Sequence, residues 1–210
     1  MRLAALRIAA GPDAWRECGF EVSEEGTIRV GSVGLELAGG EGGIEGWSLR
    51  GARGTDLDGL ATEGAPPEQL ATAARHPNTA VRIDHLVVFT PDLKRTVAAF
   101  EGAGLDLRRL REPDEPGPSV RQAFFRLGEV IAEVVENARA PEGPASFWGI
   151  TFAVADLDRC AELLGPKMGE IHDAVQPGRR IATARREANL AIPVAFIDEG
   201  AVGRSSGWSP

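Results

Sequence analysis

The sequence predicts an α+β protein made of tandem strand–helix–three-strand units, and three observations carry the prediction. An apolar run ending at an Asp-Leu pair occurs twice, once from Ile83 to Leu93 and once from Trp148 to Leu157. Each run opens an amphipathic helical stretch. Each helix is followed by short alternating segments separated by glycine turns. Repetition on this scale means copies of one supersecondary unit. The copies differ at one telling place: His85 lies seven residues before Asp92, whereas Gly149 lies seven before Asp156.

The elements follow in chain order. Leu3 to Ala9 is apolar and reads as a strand. Gly11-Pro12-Asp13-Ala14-Trp15 opens a helix with proline in its first turn, and Gly19 stops it. Residues 20–23, 27–30 and 33–37 are strand candidates turned by Gly26 and Gly31. Gly46 to Arg50, followed by Asp56-Leu57-Asp58, echoes the strand and helix start of the 148–158 copy. It breaks off at Ala65-Pro66-Pro67 without closing strands.

Residues 82–90 alternate with a period of two, which sets His85, Val87 and Phe89 on one face of a strand. Thr90-Pro91-Asp92 reads as a helix start capped by the Thr90 hydroxyl. Leu93, Val97 and Phe100 form the helix stripe, and Gly102 and Gly104 end it. Pro113, Pro116, Gly117 and Pro118 mark a loop or irregular hairpin. Val120 to Leu127 and Glu129 to Glu136 are strands about Gly128. In the second copy, Trp148 to Val154 is a strand and Asp156 opens a helix carrying Leu157, Cys160 and Leu164. Arg179 to Arg185 and Ile192 to Ile197 close the unit. The expected organisation is a worn module plus a truncated strand–helix unit at 1–64, a linker at 65–81, modules at 82–137 and 148–199, and a frayed tail at 200–210.

Composition narrows the function. Hydrophobic residues make up 43% of the 210 and charged residues 26%, the profile of an ordinary globular protein. A formal net charge of -8 argues against a nucleic-acid or anionic-membrane partner. Cys18 and Cys160 make neither a disulfide framework nor a zinc cluster. The N-terminus lacks the long apolar core of a secretory signal, and no apolar run is long enough to span a bilayer, so a cytoplasmic location is expected.

The order of elements, repeated in tandem over 82–136 and 148–198, resembles the vicinal oxygen chelate superfamily of glyoxalases, bleomycin-resistance proteins and extradiol dioxygenases. The resemblance implies a curved half-open barrel in which a metal, where present, is held by the first and last strands of each module. It places His85 at the first-strand ligand position of one module and Glu133 at its last-strand position. The matching positions of the second module are Gly149 and Ala195 or Phe196, which cannot coordinate. The implied metal set is therefore half present, and no resident cofactor is expected beyond a weakly held divalent ion. Glu36 matches Glu133 in the N-terminal copy and would add a third ligand only under a different pairing of modules.

His85 is either a hydrogen-bonded structural histidine or a pocket group. Glu133 sits between Ile131 and Val135 on its strand face, where an unpaired carboxylate is costly. Burial would raise its pKa and suit it to general-base work, while a salt bridge to Arg121 or Arg126 is the plainer alternative. Gly149 and Thr151 are small and leave room for a ligand. Phe125 is a candidate cleft aromatic among residues that mostly fill core. Arg179 and Arg180, after a Pro-Gly turn, could grip a carboxylate or phosphate. The expected function is binding of a small organic molecule in the barrel. The alternative is a lyase, isomerase or dioxygenase that uses His85 and Glu133. A homodimer is compatible with either.

Overall fold

The computed structural model describes residues 1–40, 42–54, 56–66, 74–112, 120–137 and 142–200. The middle of the expected linker (67–73), the proline-rich loop (113–119) and the tail (201–210) lie outside the described residues.

The first 64 residues form strand β1 (Arg2–Ala9), helix α1 (Pro12–Glu17) and strands β2 (Thr27–Val30), β3 (Val33–Leu37), β4 (Gly43–Arg50), β5 (Asp56–Leu57) and β6 (Leu60–Gly64). Then come β7 (Ala80–Thr90), α2 (Leu93–Gly102), β8 (Asp106–Arg111), β9 (Gln122–Leu127) and β10 (Val130–Glu136). The last module is β11 (Ser146–Val154), α3 (Leu157–Leu164), β12 (His172–Asp173), β13 (Arg180–Thr183) and β14 (Val194–Asp198).

These strands make two mixed sheets, ordered β2-β3-β1-β4-β6-β5 and β12-β13-β14-β11-β7-β10-β9-β8. One pairing rule builds both. First and last strands of a module run parallel, as in β1 with β3, β4 with β6, β7 with β10 and β11 with β14. First strands of successive modules run antiparallel, as in β1 with β4 and β7 with β11. The six-stranded sheet is thus a reduced copy of the eight-stranded one. The end strands β12 and β8 pair with nothing further, so among the described residues the sheet is open.

One face of the larger sheet is apolar and covered. Along β9, Ala123, Phe125 and Leu127 are buried, and along β10 Val130, Ala132 and Val134 are. Two aromatic clusters join the sheets. Trp15 of α1 and Phe20 pack on Phe152 and Phe196, while Trp47 of β4 packs on Phe100 of α2 and on Phe147, with Phe125 behind Phe100. The uncovered face holds the alternate residues, and there the polar side chains collect.

Three local expectations are corrected. Asp92, not Thr90, caps α2: its carboxylate accepts from the Arg95 N–H at 3.0 Å, as Asp156 does from Arg159 at 2.9 Å in α3. Asp56-Leu57-Asp58 opens no helix. Asp58 and Gly59, both at positive φ, turn the chain between β5 and β6, and the alternating burial of Leu60 to Gly64 gives that unit a closing strand after all. Residues 20–23 contribute only a single bridge, Val22 to Ile28. The irregular-hairpin alternative holds before β9, where β8 is an edge strand of exposed charged residues.

Candidate functional site

The site begins with a defect in β7. Thr151 pairs with His85, yet the next residue, Phe152, pairs with Ile83, so Asp84 is an extra residue in the ladder. A bulge re-aims side chains, and here Asp84 meets its neighbour: His85 Nδ1 lies 3.1 Å from Asp84 Oδ2. An ionised carboxylate only accepts, so His85 donates from Nδ1 and turns Nε2 toward β10. Arg179 Nη2 donates to Asp84 Oδ1 at 2.8 Å, and Arg82 Nη2 stands 3.0 Å from the same oxygen. Burial pushes the Asp84 carboxyl up, but hydrogen bonds from His85 and Arg179 and their charges outweigh it and hold the pKa well below the usual carboxylate range.

Glu133 comes from β10, which lies parallel and adjacent to β7. Its Oε2 is 3.8 Å from His85 Nε2, and its Oε1 accepts from Gln122 Nε2 at 2.5 Å. Gln122 in turn accepts from Arg111 Nη1 at 3.3 Å. Burial pushes the Glu133 carboxyl up, against the charges of His85 and Arg111 and the Gln122 hydrogen bond. The salt bridge to Arg121 or Arg126 does not form. Arg121 pairs with Glu112 and Glu136, and Arg126 donates to the Gly128 carbonyl. A polar row therefore crosses four strands and a loop, from Arg111 through Gln122, Glu133, His85 and Asp84 to Arg179.

The other sequence candidates divide. Thr151 is buried beside His85. Arg179 joins the row and also donates to the Asp198 carbonyl at 2.6 Å. Arg180 leaves it, held by Asp158 and Asp198 next to α3. Phe125 is fully buried against Phe100 and lines no cleft. Gly149 offers no free space: a Cβ there would stand 2.5 Å from the Pro193 carbonyl oxygen. Its smallness admits a neighbouring strand, not a ligand. Glu36 is exposed on β3 of the other sheet. The residues that sequence reasoning missed are Asp84 and Gln122. Asp84 looked like the outward half of an alternating strand, and only the bulge turns it inward. Beyond Glu133, the same face ends in an aromatic pair, Phe89 and Trp148, with ring centroids 5.1 Å apart and Trp148 44% exposed.

Tandem βαβββ modules with a half-buried polar row across the larger sheet define a glyoxalase-like protein of the vicinal oxygen chelate type. The model of the Glyoxalase/Bleomycin resistance protein/Dioxygenase superfamily matches residues 82–188, and the chain belongs to that superfamily. Among solved structures, it is similar to the methylmalonyl-CoA epimerase of Mycobacterium tuberculosis, at 14% identity over 63% of this chain and 94% of that one, with a TM-score of 0.46. It is also similar to the Streptomyces coelicolor methylmalonyl-CoA epimerase in complex with 2-nitronate-propionyl-CoA, at 20% identity over 58% and 99%, with a TM-score of 0.46. No curated protein matches it. No helix among the described residues is long and apolar enough to cross a membrane.

The donor set does not fit the metal centre that the resemblance implies. His85 and Glu133 are two donors, while Gly149 and Ala195 supply none. Among the described residues no group of three or more His, Cys, Asp or Glu side chains is placed to hold an ion. A protein-held centre of this kind needs about three or four ligands.

Proposed function

We propose that this chain binds a small organic molecule on the uncovered face of the eight-stranded sheet, without a complete metal site. The ligand presents a hydrogen-bonding group to Glu133 and His85 and an apolar, flat part to Phe89 and Trp148. The observation that carries the reading is the placement of Glu133: a half-buried carboxylate bonded to a neutral amide, with one oxygen left facing His85 at 3.8 Å. A group so placed gains by accepting from a ligand, because its own desolvation is otherwise uncompensated. Amide spectra recorded during titration with small hydroxy-aromatic compounds test this. Shifts confined to strands β7 to β10 and the start of β11, lost in Glu133→Gln and Trp148→Ala, are expected. Shifts elsewhere would overturn the reading.

A second reading, proton transfer on the bound molecule, is favoured by the raised Glu133 pKa and by the Asp84-anchored His85 beside it. In that case Glu133 takes the proton and His85 orients or shares it. Incorporation of solvent deuterium into a bound molecule, absent with Glu133→Gln, separates an enzyme from a binder.

A further inference from the structure

We infer that the ligand of this face is an anion, and that Arg109 and Arg111 on β8 hold its carboxylate or phosphate group. This deepens the reading just proposed and rests on it. Register fixes the geometry. Arg109 pairs with Phe124 on β9, which pairs with Glu133 on β10, and Arg111 pairs with Gln122. Paired residues share a face, so both guanidinium groups belong to the face that carries Glu133 and His85. Arg111 is settled independently by its contact with Gln122.

Several other arginines are held by carboxylates. Arg82 and Arg179 share Asp84, Arg95 holds Asp58, Arg121 holds Glu112 and Glu136, and Arg180 holds Asp158 and Asp198. Among the described residues no carboxylate is hydrogen-bonded to Arg109 or Arg111, and both are exposed. In a chain with a net charge of -8, two exposed guanidinium groups on one face make a local positive edge. Planar guanidinium groups grip carboxylate and phosphate oxygens in pairs. Adjacent strands lie about 4.8 Å apart, so β8 and β10 are separated by roughly 10 Å. A ligand with its protic group at Glu133 and its anionic group toward β8 spans that gap once the arginine side chains reach inward. Phe124 lies between as the floor.

The experiment titrates the full chain with matched probes: 4-hydroxybenzoate and 4-hydroxyphenyl phosphate against the neutral 4-hydroxybenzamide, read by amide shifts on β7 to β10. At least one anion should bind at least tenfold more tightly than the amide, and raising salt from 20 to 300 mM should shrink the gap. Which of the two anions binds more tightly tells carboxylate from phosphate. R109Q/R111Q should bring the anions to the level of the amide. R108Q, on the β8 bulge and bonded to Asp106, removes one charge from the same strand and should change nothing. Equal binding of anions and amide overturns the anion assignment while leaving the proposed face intact. A loss in R108Q that is half or more of the R109Q/R111Q loss on a logarithmic scale overturns it as a mere net-charge effect. If no probe shifts this face, both the anion assignment and the proposed function fall.

Discussion

His85 and Glu133 face each other one step out of register. Ile131 pairs with His85 and Glu133 pairs with Val87, yet His85 Nε2 lies 3.8 Å from Glu133 Oε2. The diagonal contact follows from the bulge at Asp84, which ties the imidazole down through Nδ1 and leaves Nε2 to point along the sheet toward β10. The half-buried Glu133 carboxyl, its pKa raised by burial, makes the site sensitive to pH as well as to substitution.

Glu133→Gln should stabilise the protein at neutral pH. The folded carboxyl has a pKa raised above 4.5 by burial, so between the unfolded and folded values the native state holds more protons than the unfolded chain. Stability therefore falls as pH rises through that window. Glutamine does not titrate and keeps the bond from Gln122. At pH 8 the variant should melt higher by ~2–4 °C, about 1 kcal/mol for a chain this long, and at pH 4 the difference should close. A variant less stable at every pH would show that the carboxylate has better partners than Gln122 and His85.

Asp84→Asn should do the opposite. Arg82 and Arg179 would lose a shared counter-charge whose side chain is only 11% exposed, and His85 would lose the acceptor that fixes its tautomer. The cost should be about 2–3 kcal/mol at pH 7 by urea unfolding. Because the folded carboxyl lies well below the usual range, its contribution is present above the unfolded pKa and is lost as pH falls into strong acid. The gap between wild type and variant should therefore narrow at pH 2–3. A neutral substitution would place Asp84 among ordinary surface ion pairs.

The architecture was legible because it rests on periodicity. The alternating runs at 82–90 and 148–154, and the Asp-Leu helix starts, report burial directly, and strands and helices stand there. The candidate site was legible in part. His85 and Glu133 were readable because polar residues at inward positions of apolar strands are conspicuous. Asp84 and Gln122 were not, because a bulge is a property of two strands together and one strand's pattern cannot show it. Gly149 misled for the same kind of reason: a small side chain signals close approach without saying whether a ligand or the Pro193 backbone approaches.

Gly149→Ala tests that point. Its Cβ would stand 2.5 Å from the Pro193 oxygen and 3.0 Å from the Pro193 Cβ, and the same oxygen accepts from the Ile150 N–H at 3.0 Å. The β11–β14 contact would have to spread. A loss of about 1–3 kcal/mol is expected from overpacking of this kind, measured by thermal or urea unfolding. If the variant unfolds like wild type, the space beside Gly149 is open after all and the ligand-cavity reading of that residue returns.

His76 gives the protein a second pH dependence, remote from the site. It is 6% exposed, and both ring nitrogens are engaged: the Glu21 N–H donates to Nδ1 at 3.0 Å, and Nε2 lies 3.0 Å from the Arg29 carbonyl oxygen. Only the neutral ring satisfies both, donating from Nε2 and accepting at Nδ1. Burial pushes its pKa down, against the Arg29 carbonyl and the Glu21 charge. The unfolded chain then binds the extra proton first, so the contribution is whole above about pH 6.5 and declines as pH falls from there to the folded value. His76→Ala leaves the Glu21 N–H and the Arg29 carbonyl without the ring and should cost about 1–3 kcal/mol at pH 7.5. The loss should be smaller at pH 5, where wild type has already given up part of it. Unfolding curves of both proteins at those two pH values decide the matter, and an equal loss at both would show that the folded and unfolded chains bind the His76 proton alike.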